Sequence, residues 1–122
     1  MKTMAMGLLA LLCTCIMGCA TARDTRLFVN SDISRYIDVT NVSCTRAPNG
    51  FCVVRADVLN RTKKDISLEW KVQWLDENGM DLDTATSTWQ KQAIVAQDFH
   101  ALRAVAARKE AVTMRIYIRR LK

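Results

Sequence analysis

Between Ile66 and Trp74 every second residue is apolar: Ile66, Leu68, Trp70, Val72 and Trp74 alternate with Ser67, Glu69, Lys71 and Gln73. A period of two is that of an extended strand, with the apolar set on one face and the polar set on the other. Such a strand cannot stand alone. It needs partner strands for its backbone and a second layer over its two indoles. The surrounding chain supplies both. Residues 36–44 and 51–59 are rich in β-branched side chains, Met80-Asp81-Leu82 reads as a short return strand, and weaker strand signals follow at 93–96 and 99–105. In the last strand Val112, Met114, Ile116 and Ile118 are expected to face inward, with Thr113, Arg115, Tyr117 and Arg119 outward.

Turn chemistry separates these segments. Residues 46–50 hold the only proline, Pro48, and an Asn-Gly step; residues 60–65 are polar; Asp76-Glu77-Asn78-Gly79 and Arg108-Lys109-Glu110 close two further connections. The alanine-rich stretch 101–112 carries no helical stripe. About seven short strands with frequent turns predict an all-β fold, an immunoglobulin-like antiparallel β-sandwich.

Upstream of the strands the chain changes character. One basic residue, Lys2, precedes an apolar run from Met4 to Met17 that ends in Ile16-Met17-Gly18-Cys19. That layout is a secretory signal whose cleavage site abuts a cysteine, and it resembles the lipobox of bacterial lipoproteins. Residues 1–18 are then the signal peptide, Cys19 the lipidated N-terminus, residues 19–34 a tether, in which Leu27-Phe28-Val29 either docks as an edge element or stays semi-ordered, and residues 35–122 the β-sandwich domain. The competing reading is an uncleaved anchor, because 20 residues without charge separate Lys2 from Arg23. Gly18, Ala20, Thr21 and Ala22 dilute that stretch, and both readings tether the same domain outside the cytoplasm. Ala20 stands where aspartate favours inner-membrane retention in enteric-type sorting, so the analogy points to the outer membrane, facing the periplasm.

Cleavage after Gly18 leaves 104 of the 122 residues, enough for one domain and not two. Without Lys2 the count is 17 basic against 12 acidic residues. Outside the cytoplasm the polyanions such a balance meets are phosphate-bearing lipid surfaces and envelope polymers, and no nucleic-acid partner is expected. The basic residues form no stripe with interleaved aromatics; only Arg115, Arg119, Arg120 and Lys122 cluster, as a solvated strand face with a basic tail.

The address also sorts the five cysteines. Cys13 and Cys15 fall in the signal, Cys19 takes the lipid, and Cys44 and Cys52 remain as an even pair in an oxidising compartment. A hairpin centred on Pro48 places Cys44 opposite Cys52 and Val42 opposite Val54, at a spacing a disulfide spans. With two thiols and one histidine no structural zinc site is expected, and no cofactor.

Residues 74–82, Trp-Leu-Asp-Glu-Asn-Gly-Met-Asp-Leu, resemble the aromatic-x-Asp-x-x-Gly-x-acidic-aliphatic segment of the YcfL family of small Gram-negative envelope lipoproteins. Trp89, the segment 102–107 and the ending 114–119 are similar to the rest of that pattern, in order. The chain departs from it at Ala107, often proline in the family, and in its Cys44/Cys52 pair. The resemblance implies an immunoglobulin-like sandwich with an envelope role, and it carries no catalytic residue across.

The remaining constellations are weak. His100 is a lone histidine on a strand, better read as structural or solvated. Asp76, Glu77, Asp81 and Asp83 lack calcium-loop spacing, whereas Asp76 as a cap and Gly79 at positive φ explain a plain turn. Trp70 and Trp74 belong to the core, which leaves Trp89 open for a ligand. The expected function is therefore that of a lipid-anchored, non-enzymatic module that binds an envelope protein or peptidoglycan, or that has a purely structural role in the envelope. The alternative is a glycan-binding or glycan-processing module using Trp89, Arg103 and Arg119. A buried Trp89 favours the first and an exposed Trp89 beside either arginine the second.

Overall fold

The computed structural model describes residues 25–82 and 88–122, so the signal peptide and Cys19 lie outside the described residues. Eight strands follow in order: β1 (Leu27–Val29), β2 (Ile37–Arg46), β3 (Cys52–Asn60), β4 (Ile66–Leu75), β5 (Asp81–Leu82), β6 (Gln90–Ile94), β7 (Phe99–Val105) and β8 (Thr113–Arg120). They form two layers. One sheet has the order β1-β8-β4-β5, with β6 also on β4, and the other the order β2-β3-β7. The all-β sandwich expected from the alternation is the fold observed.

The strand that announced the fold sits at its centre. β4 pairs antiparallel with β8 on one side, and with β6 and then β5 on the other. Its inward residues Leu68, Trp70, Val72 and Trp74 are buried with Met114, Ile116 and Ile118 of β8 against Val54, Ala56, Val58 and Leu102 of the facing sheet. The hydrophobic effect on these side chains, at about 25 cal/mol per Å² of apolar surface removed from water, holds the layers together.

Four expectations are corrected. The domain begins before residue 35: of the segment read as a tether, Leu27-Phe28-Val29 takes the edge-element alternative as β1, parallel to β8, and Ile33 is wholly buried. In the last strand Val112 is 37% exposed and Ala111 fills the inward position, because inward alternation starts only at Met114. The strand read at 93–96 begins earlier, at Gln90, and Val95 is exposed.

The hairpin register is the fourth. Cys44 pairs with Val54 and Arg46 with Cys52, so the centre is Asn49 rather than Pro48. The reason is Gly50. Its φ of 88° occupies the left-handed region, Gly50 N–H donates to Ala47 O (2.9 Å) and Ala47 N–H donates to Phe51 O (2.8 Å). That makes a three-residue loop with glycine at its last position, which a Pro48-centred hairpin would have spent on strand pairing. The second Asn-Gly step closes the β4–β5 connection in the same way: Gly79 has φ 75°, and Asp76 Oδ1 accepts from Asn78 N–H and Met80 N–H, both at 2.9 Å. Cys44 and Cys52 are consequently diagonal neighbours on one face, and they form the disulfide with Cα atoms 6.2 Å apart.

A bulge in β2 makes that possible. Thr40 pairs with Asp57 but Ser43 with Arg55, so one extra residue enters between them, and Asn41 takes a φ of 54°. Before it Ile37 and Val39 face the core; after it Val42 and Cys44 do. Strict alternation would have pointed Cys44 outward with Asp38 and Thr40. Val42, expected opposite Val54, sits in the bulge instead.

Candidate functional site

The outer face of the five-stranded sheet carries the densest group of interacting polar and aromatic side chains. Alternation in β8 turns Arg115, Tyr117 and Arg119 outward, and in β4 it turns Glu69, Lys71 and Gln73 outward. Register then brings them together: Phe28 lies beside Tyr117, Tyr117 beside Lys71, Arg119 beside Glu69 and Glu69 beside Lys91. Trp89, one residue before β6, continues the row past Lys71.

The contacts follow that order. The rings of Phe28 and Tyr117 stack with centroids 5.1 Å apart and planes at 15°. Lys71 Nζ lies 5.4 Å from the Tyr117 centroid and 4.8 Å from that of Trp89, so one ammonium serves two aromatic rings. The Arg119 guanidinium carbon is 3.7 Å from the Trp89 centroid, and its Nε–H donates to Glu69 Oε2 at 2.7 Å. Tyr117 OH donates to Gln73 Oε1 at 3.0 Å. Each cation–π contact at such a half-exposed place is worth about 0.5–1 kcal/mol. The Arg119–Glu69 pair, with Arg119 41% exposed, adds at most about 1 kcal/mol after screening.

Beside Arg119 a polar pocket of about 300 Å³ is lined by Asn30, Asp32, Glu69, Arg119 and Lys122. A second pocket, of about 270 Å³, opens nearby under Ile33, Tyr36, Ile66 and Arg120. The surface offers π faces, cationic heads and a carboxylate to a ligand. Among the described residues no group of three or more His, Cys, Asp or Glu side chains is placed to hold a metal ion.

Of the residues singled out from sequence, Trp89 and Arg119 meet. Trp89 is half-buried beneath Arg119 and Lys71, between the two outcomes expected to discriminate the readings. Arg103 does not join them. It lies exposed on β7 in the other sheet, directly opposite Arg55. His100 is exposed on the same strand, opposite Val58. Asp76 and Gly79 do what a turn requires of them.

Lys71, Tyr117, Phe28 and Glu69 were not recognised as a group. The outward phase of Lys71, Tyr117 and Glu69 is legible in alternation, that of Phe28 in a segment read as tether is not, and their adjacency depends on pairing between strands far apart in sequence. Asn60 was also missed. It is the buried polar residue of the core, donating through Nδ2 to Lys64 O (2.8 Å) and Ile94 O (3.0 Å) and accepting from Thr62 N–H (2.9 Å). It ties the β3–β4 turn to the end of β6, where the chain leaves one sheet for the other. On the opposite layer Asp57 accepts from Asn41 (2.9 Å) and Arg55 (3.1 Å), which hold its carboxyl below the usual aspartate value.

The family model described as a protein of unknown function, DUF1425, matches residues 24–120. A crystal structure of Campylobacter jejuni cj0090 superposes with a TM-score of 0.66 at 23% identity, covering 80% of this chain and all of that one. A DUF1425 family member from Shewanella sp. pv-4 superposes with a TM-score of 0.64 at 24% identity, over 70% of this chain and 79% of the other. At these identities the likeness is one of fold. No curated protein sequence matches.

Proposed function

Because this chain belongs to the DUF1425 family of proteins of unknown function, we propose its role from its own residues: a lipid-anchored, non-enzymatic envelope module that binds another envelope component. The YcfL-like segments and the signal ending in Cys19 support the address, an outer-membrane lipoprotein facing the periplasm. The Cys44–Cys52 disulfide is in keeping with an oxidising compartment. The observation that carries the binding role is the aromatic and cationic row Phe28-Tyr117-Lys71-Trp89, exposed at Phe28 and running across three strands to the residue before β6 on one face. Aromatic rings and arginine are the side chains that dominate protein interfaces.

A photo-crosslinking residue at Lys91, on the same face, tests this in intact envelopes. A discrete protein adduct is expected, lost when Phe28→Ala and Arg119→Ala are combined; no adduct at any position of this face refutes the binding role. Acyl labelling of the wild type and of Cys19→Ala tests the anchor separately, and labelling is expected only in the wild type.

One observation favours a second reading, glycan or peptidoglycan recognition: Arg119, which lies against the Trp89 ring, also lines the polar pocket. Co-sedimentation with purified peptidoglycan, abolished by Trp89→Ala, would establish it in place of a protein partner. Arg103 has no part in this reading, being on the other layer.

A further inference from the structure

Strand order places the start of the described chain at one particular end of the sandwich. β1 runs parallel to β8 with Leu27 beside Ile116, so residues 25–26 lie level with the start of β8. Arg26 O accepts from Ile116 N–H at 2.8 Å, and Arg26 Nη2 donates to Val42 O at 3.2 Å. The same end carries the β2–β3 hairpin and the β7–β8 loop. These are joined by Ala106 N–H to Cys52 O (2.8 Å) and by Arg46 Nη1 to Gly50 O (2.7 Å) and Lys109 O (3.3 Å).

We infer that this hairpin end rests on the phosphate-bearing lipid surface, with Arg46 and Lys109 toward the headgroups and Phe51, Pro48 and Val112 at the interface. The inference rests on the reading of Cys19 as the lipidated residue. Cys19 to Asp24 is six residues, and six residues span at most about 20 Å when fully extended. The tip nearest the chain's entry is therefore held beside the headgroups, where the tether's high effective concentration lets a weak affinity suffice.

Composition fits that neighbour. Arg46 and Lys109 are exposed cations without an acidic partner among the described residues, Lys109 Nζ lies 5.6 Å over the Phe51 ring, and Arg108 is paired with Glu110 at 3.3 Å. Pro48 is exposed and Val112 is 37% exposed. Basic residues beside an apolar ring and aliphatic groups are what an anionic interface attracts. The acidic β4–β5 turn, with Glu77 and Asp81, lies at this same end, since Leu75 pairs with Thr113 and accepts from Val112 N–H at 2.9 Å, but at the strand edge farthest from β1. A domain leaning on its β1/β2 side keeps that turn off the surface. The β3–β4 and β6–β7 turns then face away from the membrane, on the side open to other envelope components.

The test uses the full lipidated protein, isotope-labelled, in vesicles of phosphatidylethanolamine and phosphatidylglycerol doped with a headgroup spin label. Amide signals of residues 47–51 and 107–112 should lose most of their intensity, while those of residues 61–65 and 95–98 keep theirs. Arg46→Gln combined with Lys109→Glu should restore the tip signals, and replacing phosphatidylglycerol by phosphatidylcholine should do the same for the unaltered chain. Equal broadening of the two ends, or stronger broadening of 61–65 and 95–98, overturns the docking while leaving the anchor standing if the mass of that sample shows acylated Cys19. Tip broadening indifferent to both changes of charge overturns the role of Arg46 and Lys109. An unmodified Cys19 overturns anchor and docking together.

Discussion

The Arg119 guanidinium lies against Trp89, 3.7 Å from the ring centroid, while its Nε holds Glu69 at 2.7 Å. Arg119 and Trp89 belong to segments on either side of β4 and meet over its outer face. This one side chain joins three elements of the sheet and occupies the indole that sequence left open for a ligand. A double-mutant cycle on Trp89→Ala and Arg119→Ala should return a coupling of about 0.5–1 kcal/mol in urea unfolding. Additive effects would mean that the contact contributes nothing in solution.

The two faces of β4 should respond unequally to substitution. Trp70 and Trp74 are 5% and 0% exposed, and replacing either by alanine should cost about 3–5 kcal/mol. Lys71→Ala, which removes an ammonium from the Tyr117 and Trp89 rings, should cost only about 1 kcal/mol. Equilibrium denaturation of the three variants orders them, and an equal loss at Lys71 would contradict the assignment of faces.

Asn60 carries a cost that its place in a polar turn conceals. Asn60→Ala removes the buried donor to Ile94 O and one of the donors to Lys64 O, and should destabilise by about 2–3 kcal/mol. Asn60→Asp should be worse at neutral pH, because a carboxylate would then face those oxygens without a proton to donate. A melting temperature for Asn60→Asp that rises on acidification toward that of Asn60→Ala checks the electrostatic cause.

The disulfide closes a short loop, so on the chain-entropy account its reduction should lower stability by about 2–3 kcal/mol and leave the fold intact. Thermal melts with and without reductant measure this. Collapse of the native spectrum on reduction would show that the core alone does not hold the hairpin, and freely alkylated Cys44 and Cys52 in envelope-derived protein would contradict an oxidised state.

Asp57 sets a small acid dependence. Its hydrogen bonds to Asn41 and Arg55 depress the folded-state pKa below the unfolded one. The stabilisation is therefore present above the unfolded aspartate pKa and is lost as pH falls through the lower folded value. Asp57→Asn should flatten the stability profile across that acidic window, by lowering stability at neutral pH and leaving it nearly unchanged at strongly acid pH. A profile unaltered by the substitution would show that the carboxylate is not held.

Much of this architecture is local information. Alternation at 66–74 and 113–119 determines the core face of β4 and β8, because a strand's side-chain period is a property of its own backbone. Asn-Gly at positions 49–50 and 78–79 determines two turns, because glycine reaches positive φ without a Cβ clash. The glycine also held the hairpin register, which was missed when Pro48 was taken as the centre. Val112 was misplaced for a related reason: alternation says which residues share a face, not where the strand begins.

What only the tertiary structure decided is whatever depends on which strands become neighbours. The β2 bulge at Asn41, the docking of β1 on β8 and the burial of Asn60 at the crossing between layers rest on contacts between segments distant in sequence. So does the candidate site. Lys71 and Tyr117 have outward phases readable one strand at a time, whereas Phe28 and Trp89 gain theirs from the neighbours they dock on. Their assembly into one row, and the separation of Arg103 onto the other layer, come from pairing that no local period encodes.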